Sequence, residues 1–188
     1  APGYGDALNN RGVALGSLGR FEDALAALDA ALSAKSGYVE AHYNRGNVLR
    51  DMLRLDEDKA SFDHAIDMND AFAPAWRNKG FCALLEGDFA AGLPLYEWRK
   101  KASPPIEARS YAEPLWTGTQ DITGKTLFLY AEQGLGDTIQ FYRFVAPLLV
   151  RGAKVILSAQ DSLLCLLQGA TPKGGVIGAK AVPTTCEC

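Results

Sequence analysis

The sequence predicts two architectures in tandem: an all-α solenoid of three helical hairpins, then part of a parallel α/β unit. Three observations carry this reading. The triplets Asn10-Arg11-Gly12, Asn44-Arg45-Gly46 and Asn78-Lys79-Gly80 recur at intervals of 34 residues. Around them apolar residues return every three or four positions, the period of an amphipathic helix. Beyond Ser103-Pro104-Pro105 that spacing gives way to short apolar runs separated by glycine-containing turns, the pattern of strands alternating with helices.

The repeats come first because a fixed period of this length defines the fold. Leu8, His42 and Trp76 stand two residues before the triplets, Leu15, Leu49 and Ala83 three after the glycine, and Leu28, Phe62 and Tyr96 keep the same register. Three units result, 5–38, 39–72 and 73–106, within an N-terminal region of residues 1–106. In the first unit Leu8, Gly12 and Leu15 share one helix face, and Phe21, Ala24, Leu25, Leu28 and Ala31 mark a second helix after the Leu18-Gly19-Arg20 turn. The glycines and alanines let the paired helices approach closely. Each hairpin can hide its apolar face only against a neighbour. The third unit departs from the pattern, with Gly92 and Arg99 at small-residue positions and Pro94 inside its second helix. Proline removes a hydrogen bond and crowds the preceding turn, so a kink or a late start is expected there.

The α/β region is predicted over residues 107–188. Thr126-Leu-Phe-Leu-Tyr-Ala131 suits a buried strand, and a helical pattern follows through Ile139, Tyr142, Val145 and Leu149 to Gly152. Lys154-Val-Ile-Leu-Ser158 reads as the next strand, Asp161 as the cap of a helix over 162–168 closed by Gly169, and Val176-Ile177 as a third strand. Strand, helix, strand, helix implies parallel strands joined by right-handed crossovers, the start of a doubly wound domain.

Composition narrows the function classes. A net charge of −3 argues against nucleic acid as partner. No stretch approaches the ~20 apolar residues of a membrane span, and no signal peptide opens the chain, so no membrane partner and a cytoplasmic location are expected. The 4 cysteines are too irregular for a disulfide framework. No metal site is expected, since His42 and His64 read as isolated and Cys186-Glu187-Cys188 lacks a partner pair. Gly124-Lys125-Thr126 lacks the earlier glycine of a P-loop, with Thr119 in its place, and precedes a strand where that motif opens a helix.

Two groups of residues remain as candidate sites. Gly134-Leu135-Gly136-Asp137 follows the first strand, where open α/β sheets bind ligands. A third glycine would be needed at Ile139 for a dinucleotide, and Asp137 would repel a pyrophosphate at the helix start. A carboxylate there can instead take the proton of an attacking alcohol held within about 3 Å. The alternative is structural, with Asp137 as N-cap and Gln140 completing a capping box. The second group is the column Asn10, Asn44 and Asn78, which stacked repeats would line up as a ladder of amides. Amides both donate and accept, which suits a peptide backbone. They could equally bridge adjacent helices and bind nothing.

The period and pattern of the hairpins resemble the tetratricopeptide repeat. Together with Gly92-Leu93-Pro94-Leu95-Tyr96-Glu97-Trp98-Arg99, Glu113-Pro114-Leu115-Trp116-Thr117-Gly118, Gly124-Lys125-Thr126-Leu127 and Ala131-Glu132-Gln133-Gly134-Leu135-Gly136-Asp137-Thr138-Ile139-Gln140-Phe141, they resemble bacterial proteins that join such repeats to a glycosyltransferase-B domain, akin to heptosyltransferases and, more distantly, to O-linked N-acetylglucosamine transferases. The resemblance implies a fold of α + α/β class, tetratricopeptide hairpins followed by a partial Rossmann-like unit. It implies Asp137 as catalytic base, Gln133, Gly134, Gly136, Thr138 and Gln140 as acceptor contacts, and Asn10, Asn44 and Asn78 as peptide contacts. Transfer from a nucleotide sugar to a protein or glycan is implied, with the donor held by a second domain, so no cofactor is expected in this chain.

The 82 residues from Glu107 to Cys188 fall short of the ~100 to 150 of one such domain. The chain is therefore expected to be a fragment, cut within the first Rossmann-like domain and inactive alone. The alternative is a non-catalytic module binding a protein or peptide through the repeat groove. Self-association through the repeat ends or an open sheet edge is a further expectation.

Overall fold

The computed structural model describes residues 3–102, 111, 113–132, 134–170 and 175–179. The chain divides into two compact units, Ala1–Ala108 and Arg109–Cys188.

The first unit is helical: α1 Tyr4–Ser17, α2 Phe21–Ala34, α3 Val39–Asp51, α4 Leu55–Met68, α5 Ala73–Leu85 and α6 Phe89–Tyr96. Each odd-numbered helix packs on the even one after it, and α2 and α4 pack on the next hairpin. The triplet glycines explain how closely each pair sits. A Cβ on Gly12 would lie 2.5 Å from Leu28 Cγ, and one on Gly46 2.5 Å from the Phe62 ring. Between the first two hairpins Leu15, Ala24, Ala27 and Leu28 enclose Val48, while Ala31, Tyr38 and Ala41 form a second cluster. Between the second and third, Phe62, Ala65 and Ile66 enclose Ala75 and Cys82. The register extends to the turns: Gly19 and Gly87 have φ of 73° and 83°, and Leu53, at the same repeat position, is forced to 59°. That left-handed conformation crowds a Cβ against the following carbonyl.

The third hairpin ends early rather than starting late. Helix α6 begins at Phe89, in register with Phe21 and Leu55, where Asp88 accepts a hydrogen bond from the Ala91 N–H at 3.0 Å. It runs for 8 residues against 14 in α2 and α4. With Pro94 inside it, the chain tightens into a 3-10 turn over Glu97–Lys100. There Trp98 stacks on Trp76 of α5, ring centres 5.3 Å apart.

The second unit carries β1 Thr126–Tyr130, α7 Leu135–Tyr142, α8 Val145–Val150, β2 Lys154–Ala159, α9 Leu164–Ala170 and β3 Gly175–Gly178. The strands are parallel in the order β1-β2-β3, with Leu127 opposite Val155 and Leu157 opposite Val176. Leu127 and Val155 pack with Val145 and Leu148. Leu157 and Ala159 pack with Leu163 and Leu167, and Leu129 joins both clusters. Both connections therefore cover one face, so the two crossovers share one hand. On the other face Tyr111 meets the edge of Phe128 at 5.3 Å. A small parallel sheet with helices on one face agrees only loosely with a doubly wound domain, which carries helices on both.

Two helix boundaries differ from expectation. The predicted helix after the glycine turn is broken at Arg143-Phe144 into α7 and α8. Pro147 has no N–H to give the Arg143 carbonyl, which favours a break in the turn before it. Asp161 does not cap a helix at 162. It opens a 3-10 turn, Asp161–Leu163, and its carboxylate accepts from the Ala179 N–H at 3.4 Å.

One buried carboxyl breaks the packing rule. Asp58 is wholly inaccessible, its Oδ2 accepting from the Cys82 thiol at 2.8 Å and its Oδ1 lacking any partner among the described residues. Burial pushes its carboxyl above the ordinary 3.8, and the Cys82 bond only partly offsets this. The same burial, with Asp58 alongside, raises the Cys82 thiol. A carboxyl raised in the folded state gives stability that is full below its unfolded pKa and is lost as pH rises through the folded one. Asp58→Ala, which restores the residue the first hairpin has at Ala24, is expected to add about 1–3 kcal/mol near neutrality. Urea unfolding across pH should show this gain shrinking as the medium is acidified.

Candidate functional site

The asparagine column lies on α1, α3 and α5, which neighbour one another. Asn44 Nδ2 donates to Asn9 Oδ1 at 2.9 Å. Asn78 Nδ2 donates to Asn47 Oδ1 at 2.6 Å and to the Tyr43 hydroxyl at 3.3 Å. Because Asn9 and Tyr43 are 34 residues apart, the two bonds are one rung repeated. Asn78 is buried and its carbonyl accepts from Arg77 Nε at 3.2 Å. Asn44 is half-buried and Asn10 exposed. The structure thus aligns the three residues but ties Asn44 and Asn78 into the joints between hairpins.

A second rung runs beside the first. Arg45 Nε donates to Asp29 Oδ1 at 2.8 Å and its Nη1 to the Ser61 hydroxyl at 2.7 Å, and Lys79 forms the matching pair with Asp63. Asp6, Lys35 and Tyr38 make a further cluster. Lys35 donates to Asp6 at 3.0 Å and lowers that carboxyl below its ordinary value. Burial, with the neighbouring Asp6, pushes the Tyr38 hydroxyl up to about 12. Sequence reasoning passed over Asn9, Asn47, Asp29 and Asp63, although the 34-residue spacing of Asp29 and Asp63 was there to be read.

Two outward positions complete this side of the unit. Val13, Asn47 and Phe81 share one repeat position, and Ser17, Asp51 and Leu85 share another four residues on, which places them on one helix face. Val13, Phe81 and Leu85 are 43%, 45% and 53% exposed. His42 and His64, expected to be isolated, stack at 5.2 Å because α3 and α4 run side by side. Burial, then the neighbouring His64, lowers the pKa of His42. Among the described residues no three histidine, cysteine or acidic side chains converge as metal ligands do.

In the second unit the glycine turn leads from β1 into α7. Gly134 is the N-cap, so Asp137 stands at the third helical position, and its Oδ2 accepts from the Gly134 N–H at 3.1 Å. The expected box of Asp137 with Gln140 is therefore displaced by three residues. Thr138 donates to Gln160 Oε1 at 2.9 Å, joining the turns that follow β1 and β2. Gly134, Gly136 and Gln140 are exposed, while Asp137 and Thr138 are half-buried. Gln133 lies outside the described residues.

Residues 5–38 match the family model of the tetratricopeptide repeat. Solved structures agree in fold. The first TPR of Spaghetti (RPAP3), bound to HSP90 peptide SRMEEVD, is 13% identical with a TM-score of 0.52, covering 55% of this chain and 82% of that one. The TPR2AB-domain:pHSP90-complex of yeast Sti1 is 16% identical with a TM-score of 0.50, covering 54% of this chain and 39% of that one. No match was found among curated proteins. The helical unit shares the fold of these tetratricopeptide-repeat structures. No helix among the described residues is long and apolar enough to cross a membrane.

The rungs separate joint from surface experimentally. Asn78→Ala leaves Asn47 and Tyr43 without their donor and is expected to cost about 1–3 kcal/mol. Asn10→Ala should leave the denaturation midpoint within error of the parent.

Proposed function

We propose that the chain is a protein-interaction scaffold whose repeat unit holds an extended polypeptide along α1, α3 and α5. The observation that carries this reading is the pair Phe81 and Leu85, one turn apart and exposed on α5, with Val13 exposed at the matching position of α1 and the polar Asn47 and Asp51 between them on α3. Large exposed apolar side chains that lie together mark an interaction site. The two solved structures similar in fold are complexes with an HSP90 peptide and with pHSP90, which supports peptide binding on this architecture. Arg45 and Lys79 are already paired with Asp29 and Asp63, which offsets their attraction for an acidic peptide. Apolar anchors against Phe81 and Leu85 are expected instead. Asn10 and the remaining N–H of Asn44 are assigned to the peptide backbone, each for about 1 kcal/mol. On a peptide array, Phe81→Ala combined with Leu85→Ala should weaken retained peptides at least tenfold with unchanged helical circular dichroism. Undiminished binding by that variant removes the stripe as the docking surface.

A second reading concerns the glycine turn. Neither Gly134 nor Gly136 has a positive φ, and a Cβ on Gly136 would meet nothing within 4 Å. Packing does not demand glycine there, whereas close approach of a ligand would. We assign this turn to the acceptor of a sugar transfer of the glycosyltransferase-B kind, with Thr138 and Gln140 as acceptor contacts, Gln133 as a further contact, and the nucleotide-sugar donor held by a further domain. Asp137 would accept the proton of the acceptor hydroxyl as its oxygen bonds to the anomeric carbon of the sugar, while the bond from that carbon to the nucleotide phosphate breaks and the nucleotide leaves with the electron pair. Asp137→Asn keeps an oxygen for the Gly134 N–H and so isolates the chemistry. In a protein that includes the donor domain, it should lower the transfer rate about 10²- to 10⁴-fold. An unchanged rate would exclude Asp137 as the base.

A further inference from the structure

The three repeats act as controls for one another, and they set α1 apart. Tyr38, the N-cap of α3, and Ala41 and Val48 within it are buried against the hairpin before them, as are Ala75 and Cys82 of α5. The matching residues of α1, Tyr4, Ala7 and Ala14, are just as apolar, yet all are exposed. The polar rungs behave likewise. Asn44 and Asn78 donate to the residue thirty-five positions earlier, Asn9 and Tyr43, while Arg45 and Lys79 reach sixteen positions back to Asp29 and Asp63. Asn10 and Arg11 open the same two rungs. Among the described residues the Asn10 amino group has no acceptor and Arg11 no acidic partner.

The outer end of a repeat array is ordinarily polar, since it faces water. The third hairpin also leaves apolar side chains exposed, Phe89 at 63% and Leu93 at 56%, but Gly92, Pro94 and Arg99 break its repeat pattern. The face of α1 keeps the composition of a joint.

We infer that the outer face of α1 docks a further helical hairpin of this same repeat type, set in the register of the existing joints. Its second helix supplies a carboxylate to Arg11, in the place that Asp29 and Asp63 hold for the later repeats. Its first helix supplies an oxygen acceptor to Asn10, in the place of Asn9 and Tyr43. A second copy of this chain answers poorly to that description. Its trailing edge offers Glu97 in the carboxylate place, already paired with Arg99 and Lys100, and Arg77, a donor, in the acceptor place.

The test extends the chain by a second copy of residues 39–72 joined directly to residue 5, which preserves the 34-residue period and presents an added Tyr43 and Asp63. Amide hydrogen exchange of α1 should slow at least tenfold relative to the unextended chain. Arg11→Gln should reverse most of that protection and leave the unextended chain unaffected, while Arg11→Glu with Asp63→Lys in the added copy should restore it. An added hairpin that stays unfolded, α1 exchange that does not slow, or an equal effect of Arg11→Gln in both chains would overturn the inference. So would α1 protection in the unextended chain that rises with protein concentration, since the occupant would then be a second copy.

Discussion

A helical hairpin of about thirty residues has too little interior to bury its own apolar face, and the N-terminal unit is arranged around that shortfall. Phe62 shows how the requirement propagates. It fills the space left by the missing side chain of Gly46 within its own hairpin, then meets Ala75 and Cys82 of the next. The glycine is thus a packing element, and the joint beyond depends on it. The polar rungs add direction, since each cation or amide reaches back to an oxygen one repeat earlier.

The rungs also change what the asparagine ladder can do. An amide committed to a neighbouring helix positions that helix, and its loss leaves donors and acceptors stranded in a half-buried joint. In the proposed reading, ligand recognition then falls mainly to side chains outside the joints, Val13, Phe81 and Leu85, with Asn44 offering only the N–H that its joint leaves over.

Much of the first unit was legible in the sequence because each signal is local: triplet, turn and apolar spacing all lie within one 34-residue hairpin and return in the next. The direction of the amide bonds was not legible, because it depends on which residues face one another across a joint, and Asn9 carries no signal of its own. A kink or a late start was expected at α6, whereas the helix starts in register and ends two residues after Pro94, where the missing N–H and the crowding of the ring weaken its continuation. In the second unit the parallel direction of the strands followed from the alternation of elements. The start of α7 did not, since a glycine took the cap that an aspartate would ordinarily fill. The described sheet has helices on one face only, which is why the glycosyltransferase reading rests on the turn after β1 rather than on architecture.

The stacked pair of Trp76 and Trp98 has a practical consequence. Two indoles 5.3 Å apart and nearly parallel are close enough for their electronic transitions to couple, and one belongs to a helix while the other belongs to the short turn that ends the repeats. Their near-ultraviolet circular dichroism is therefore an intrinsic optical readout of whether the last hairpin is closed, available without any label and independent of the total helix content.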